Sequence, residues 1–216
     1  MQFLDFHTHQ LSNDKESIDI INIRQGYSLP FSYDLFGYGI HPWDTKEQQK
    51  LKLPDEMINS ENWVYIGETG LDKLKGAELN SQIEIFKQHI HASEKWRKPL
   101  LIHCVRCFNE LIQLHNEYAP QQKWIVHGFI GSPELAKQLT EAGILLSFGV
   151  GIINKESKAA HSLRTVPKES FLLETDDASI PIQEVYRAAS EVIQITMQNL
   201  KKVVSDNFKR LTFIEI

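Results

Sequence analysis

Short apolar, β-rich runs recur along this chain, with helical patterns in most of the gaps between them. The runs lie near residues 2–7, 18–24, 35–41, 63–68, 99–103, 123–127, 143–148 and 170–175. Several carry apolar residues on successive rather than alternate positions, the pattern of parallel strands buried on both faces. Ile83, Phe86 and Ile90 repeat with helical spacing within 78–97, and Pro99 closes that helix. Ser132-Pro133-Glu134 reads as an N-cap with proline at the first helical position. It opens a helix through Leu135 and Leu139 that Gly143 stops. Val185, Ala189 and Val192 mark another helix, and Leu200, Val203, Val204 and Leu211 a last one. Strands alternating with helices make βα units. Eight runs in series predict a TIM-like (β/α) barrel filling one domain over residues 1–216.

The N-terminal side is irregular. Between His9 and the second strand there is hardly room for a helix, and the segment with Gly26 and Pro30 reads as a loop. The expected barrel is therefore distorted there and short of one or two helices. No repeat, low-complexity stretch or linker interrupts the chain, and 216 residues suffice for one sizeable core.

Composition excludes some classes of function. Hydrophobic residues make up 42% and charged residues 24%, values ordinary for a globular protein. The net charge of −5 argues against a basic surface that holds nucleic acid by charge alone. It leaves a nucleic-acid substrate open, because bound metal ions supply local positive charge. No apolar run is long enough to span a membrane. The N-terminus shows no basic segment followed by an apolar one, so a cytoplasmic protein is expected. Cys104 and Cys107 stand three apart just after His103. They read as a redox pair or as two reduced thiols at the start of a helix, and nothing else here supports the redox reading.

Most of the chemistry sits where the apolar runs end. His7 and His9 are two apart on a strand, so both imidazoles point to one face. The fourth, fifth, sixth and eighth runs stop at Glu68, His103, His127 and Asp176. In a closed barrel these C-terminal ends converge on one pocket, where barrel enzymes do their chemistry. Imidazole and carboxylate suit zinc, manganese, iron or, less well, magnesium. Six such residues exceed what one structural zinc takes, so a site for two metals is expected.

These segments resemble the TatD-type metal-dependent hydrolases, a group usually described as deoxyribonucleases among the amidohydrolase-like barrels. The matching stretches are Asp5-Phe6-His7-Thr8-His9, Gly39-Ile40-His41-Pro42, Ile66-Gly67-Glu68-Thr69-Gly70-Leu71-Asp72, Ile102-His103-Cys104, His127-Gly128-Phe129-Ile130-Gly131 and Leu173-Glu174-Thr175-Asp176. Asn207-Phe208-Lys209-Arg210-Leu211 resembles the family's ending. The resemblance implies two divalent ions (magnesium, manganese or zinc), one on His7, His9 and Asp176, the other on His103 and His127. Glu68 would bridge them. It also implies a water made acidic between the ions, with Asp176 accepting its proton and aiming it at phosphorus. DNA or another phosphoester is the implied substrate.

Other residues keep two readings. His41 touches substrate or orders a ligand, or else is a loop histidine set by Pro42. Asp72 fixes a ligand imidazole, or else ends a turn over Gly70-Leu71-Asp72. His89, His91, His115 and His161 read as ordinary surface or helix histidines, and Trp43, Trp63, Trp96 and Trp124 as packing aromatics. Two features depart from the family. Many relatives carry an arginine two positions after the fifth-strand histidine, suited to phosphate; here Val105 stands there, with Arg106 next. The stretch after Asp176 is also compressed. Hydrolysis of small phosphoesters, or of amide or ester bonds, on the same two metals is thus the alternative. A non-catalytic metal-binding protein ranks behind both.

Overall fold

The computed structural model describes residues 1–12, 14–27 and 35–216; Pro30, in the expected loop, lies outside them. Eight strands form one sheet in chain order: β1 (Phe3–Thr8), β2 (Ser17–Arg24), β3 (Leu35–Gly39), β4 (Trp63–Asp72), β5 (Leu100–Val105), β6 (Trp124–Val126), β7 (Leu145–Phe148) and β8 (Phe171–Leu173). The pairs β1–β2, β3–β4, β4–β5 and β7–β8 are parallel. All eight expected runs are strands, and the fold is of the TIM-like (β/α) barrel class. Every residue of β1, β3, β4, β6, β7 and β8 is buried. The unbroken apolar runs therefore reflect strands covered on both faces.

The helices are α1 (Asp55–Ile58), α2 (Leu79–Trp96), α3 (Phe108–Tyr118), α4 (Pro133–Glu141), α5 (Lys158–Thr165), α6 (Ile182–Ile193) and α7 (Met197–Thr212). The four helices expected from periodicity are α2, α4, α6 and α7. Ser132 caps α4 as expected, its side chain accepting from the Leu135 N–H. The pattern missed α3, which buries only Leu111 and Leu114, and α5, whose buried face is mostly small. Among the described residues no helix joins β1 to β2, and only short turns with the four-residue α1 join β3 to β4. The N-terminal side is thinned as expected.

By their contacts the residues fall into two compact units, 1–21 with 126–216, and 22–125. In the first, the buried Tyr186 hydroxyl donates to the Leu4 carbonyl at 3.1 Å and accepts from its N–H at 3.2 Å, tying α6 to β1. Phe208 of α7 meets Phe6 edge-on at 6.4 Å. The carboxyl ends of β1 and β8 are joined by Asp176 N–H to His7 O at 2.9 Å and His9 N–H to Asp176 O at 3.0 Å. Two strand ends that carry candidate ligands thus share one backbone ladder.

In the second unit α2 lays Ile85, Phe86 and Ile90 against the sheet. His89, read as a surface or helix histidine, lies in α2 on this buried face. Its Nδ1 donates to the Ile85 carbonyl at 2.8 Å, which leaves Nε2 to accept the Ile40 N–H at 3.0 Å. β4 runs four residues beyond its expected end and pairs Gly70 with His103 and Asp72 with Val105 of β5. Asp72 therefore stands on a strand, not in a turn. Gly70 makes this possible: its φ is +136°, and a Cβ there would lie 2.2 Å from the His103 carbonyl oxygen.

Candidate metal centre

Each unit carries its own cluster of imidazoles and carboxylates at strand ends. In the first, His7 and His127 offer ligand atoms that lie with an Asp176 oxygen within 4.8 Å of one another. The His7 and His9 Nε2 atoms are each 3.4 Å from Asp176 Oδ1. Asp176 follows β8 with φ +55°, an uncommon conformation for a residue with a Cβ. The clamp comes from Asp5, whose carboxylate accepts the Thr175 N–H at 2.9 Å and the Thr175 hydroxyl at 2.5 Å. Burial pushes the Asp5 carboxyl up to about 8, against the pull of those two donors. Burial would raise Asp176 also. Hydrogen bonds from His7 and His9, and the charges of His7 and His127, overcome it and hold Asp176 far below the usual carboxylate range.

Behind His127 lies Glu174, fully buried. Its Oε1 accepts the Gly128 N–H at 2.6 Å and lies 3.4 Å from His127 Nδ1. A carboxylate behind a ligand imidazole fixes the ring's tautomer and orientation. Among the described residues Glu174 Oε2 has no hydrogen-bond partner. The sequence reading passed over Glu174, although it stands in the quoted motif two positions before Asp176.

In the second unit His41, Glu68 and His103 form a cluster of the same kind. Glu68 Oε1 accepts from His41 Nε2 at 2.9 Å and lies 3.0 Å from His103 Nδ1. The Glu68 N–H is held by Asn22 Oδ1 at 2.7 Å. His41 Nδ1 accepts the Trp43 N–H at 3.1 Å, so a neutral His41 carries its proton on Nε2 and donates it to Glu68. Both ring nitrogens are thereby engaged, and His41 braces the Glu68 carboxylate. Burial holds its pKa below the ordinary histidine value, with Glu68 pulling the other way.

His103 Nε2 lies 3.3 Å from Asp72 Oδ2, an oxygen that also takes the Trp43 indole N–H at 2.6 Å. Burial would raise Asp72, but the Trp43, Leu74 and His103 hydrogen bonds hold it below the usual range. Asp72 thus stands behind His103 as Glu174 stands behind His127. Arg106, the candidate phosphate contact, is exposed with φ +58° at the turn into α3.

The donor sets fit divalent metal ions. Three imidazoles and a carboxylate gather in the first cluster, and a carboxylate and two imidazoles in the second, with a further carboxylate behind His127 and behind His103. The structure brings His7, His9, His127 and Asp176 together in one unit and Glu68, His103 and His41 in the other. His127 lies with His7 and Asp176.

Residues 15–212 match the model of the family described as TatD related DNase. An "Uncharacterized metal-dependent hydrolase" of Buchnera aphidicola (subsp. Baizongia pistaciae) is 35% identical over 148 residues, 66% of this chain and 55% of that protein. A "Putative deoxyribonuclease TATDN1 homolog" of Encephalitozoon cuniculi is 29% identical over 150 residues, 68% of this chain and 53% of that protein. The chain thus spans little more than half the length of these relatives. Among solved structures, YJJV, a TatD homologue of Escherichia coli K12, superposes with a TM-score of 0.82 at 20% identity, covering 98% of each chain. That likeness shows the fold, and the family match over 15–212 decides membership: the chain belongs to the TatD-related DNase family.

Proposed function

We propose that the protein is a metal-dependent phosphodiesterase acting on DNA. The observation that carries the reading is the first cluster, in which ligand atoms of His7, His127 and Asp176 lie within 4.8 Å of one another at strand ends. In this reading His7, His9, His127 and Asp176 hold one divalent ion and His103 and Glu68 a second. When bound, such ions supply a water acidic enough to attack at neutral pH and positive charge for the phosphoryl oxygens.

The chain's own residues do the rest. Asp176 would accept a hydrogen bond from the attacking water and take its proton as the bond to phosphorus forms and the bond from phosphorus to the leaving alkoxide oxygen breaks, that oxygen leaving with the electron pair and taking a proton from solvent. His41 holds Glu68 in one orientation by donating to Oε1. Asp72 and Glu174 fix the rings of His103 and His127 before substrate arrives, so little reorganisation accompanies the reaction. The nuclease reading draws on the E. cuniculi relative's name. Only a few residues separate Asp176 from α6, which begins at Ile182, and such a short rim also suits small phosphoesters.

The test is cleavage of a labelled single-stranded oligonucleotide by protein stripped of metal and refilled with magnesium, manganese or zinc. Metal-dependent cleavage that Asp176→Asn abolishes, with the fold retained, is the expected result. No cleavage, with metal still bound, would replace this reading with hydrolysis of small phosphoesters or amides.

A further inference from the structure

Trp43 stands beside the second cluster. Its ring meets His41 edge-on at 4.7 Å and His103 at 5.8 Å, yet 38% of the residue is exposed. Trp63 and Trp124, by contrast, are fully buried. The indole is pinned by its N–H to Asp72 while part of the residue stays open to solvent. Two cations attend it. The Lys75 ammonium lies 3.8 Å from the ring centroid and the Arg24 guanidinium carbon 5.7 Å. Among the described residues Lys75 makes no ion pair, and Arg24 meets Asp44 only at 3.8 Å. In a chain of net charge −5, a cation without a carboxylate beside a cluster of ligands is a placed charge.

We propose that Trp43, Lys75 and Arg24 form the rim that seats the substrate: an unpaired base takes the place of the exposed Lys75 ammonium on the indole face, and the two cations turn to the phosphates that flank it. A ring face accepts any base, and a cation near it binds phosphate while polarising the ring. The rim supplies positive charge in a chain that has Val105, not a cation, two positions after His103. This assignment corrects the reading of Trp43 as a packing aromatic, and it rests on the phosphodiesterase reading above. A single strand or a frayed end reaches the indole most readily, since a paired base must first be unpaired and unstacked.

The test is binding to the full chain, read by fluorescence anisotropy. One probe is a phosphorothioate oligothymidine, which resists hydrolysis; the other is an abasic phosphorothioate strand of equal length and charge. The wild type should hold the base-bearing strand about tenfold tighter than the abasic one. Trp43→Leu should bring the two strands to parity. Lys75→Ala, at an exposed side chain, should weaken both strands alike and reduce the slope of log affinity against log salt by roughly 0.7. Parity in the wild type, or wild-type affinity and slope in Lys75→Ala, would overturn the rim. The unmodified oligonucleotide separates the two proposals. Strand discrimination without metal-dependent cleavage would sink the phosphodiesterase and leave the rim standing, whereas cleavage with strand parity would do the reverse.

Discussion

The indole Nε1 of Trp43 donates to Asp72 Oδ2 at 2.6 Å, and that oxygen also faces His103 Nε2 at 3.3 Å. Asp72 therefore receives hydrogen bonds from the rim on one side and from a candidate ligand on the other. Replacing it by Asn keeps the shape and removes the charge that fixes the His103 tautomer. Asp72→Asn should weaken the second ion by about 10- to 100-fold, read by chelator competition, with the circular dichroism spectrum unchanged. Wild-type metal affinity in this variant would refute the positioning role.

How much of this was legible in the chain depends on the range of each interaction. The strands were, because parallel strands buried on both faces are unbroken apolar runs. So were the imidazoles and carboxylates of the two clusters, because most of them stand where such a run stops. Glu174, Asp72 and His89 were harder, since a carboxylate or imidazole that braces a ligand or a backbone carries no periodic signal. His89 looks like any helical histidine until β3 delivers the Ile40 N–H to its Nε2. Similarly, nothing in Gly-Ile-His-Pro-Trp distinguishes an indole that packs inward from one that stays exposed at 38%. The apolar run near 63–68 ends short of β4, which continues to Asp72 through Gly67 and Gly70. In the sheet they are what lets β4 approach β5 closely.

His89 ties stability to pH. Burial holds its pKa down, from 6.5 to about 4, against the hydrogen bond to Ile85. A histidine depressed in the fold contributes stability that is full above its unfolded value and lost as pH falls towards the folded one. The window is therefore pH 6.5 to 4, with a loss of about 2 kcal/mol by pH 5. His89→Leu should be less stable at pH 7, because the Ile40 N–H is left unsatisfied, but should lose less than the wild type on going to pH 5. Urea titrations at the two pH values read the difference. Equal pH dependence in both proteins would remove His89 as the cause.

The cysteines should be inert in the folded protein. Both are free thiols. Burial pushes Cys107 up to about 11, only partly offset by the Lys73 charge, and burial raises Cys104 further still. At pH 8 roughly one Cys107 thiol in a thousand is ionised, and the thiolate is the nucleophile. Labelling by a thiol-specific disulfide reagent at pH 8 should be slow in the native state and rapid in denaturant. Rapid native labelling would restore the redox reading of this pair.

Gly70→Ala tests whether the second cluster depends on the β4–β5 approach. The new methyl group would lie 2.2 Å from the His103 carbonyl oxygen, on a backbone with φ +136° that alanine avoids. Backbone, unlike the end of a flexible side chain, does not swing away, so β5 must shift at His103 or β4 must change conformation. Either response moves His103 relative to both Asp72 and Glu68. The variant should lose more than about 2 kcal/mol by urea unfolding and bind the second ion more weakly. If the stability loss appears with unchanged metal affinity, the strand spacing supports the fold but does not set the cluster. Near-wild-type stability would mean that the two strands tolerate a wider separation than the one described.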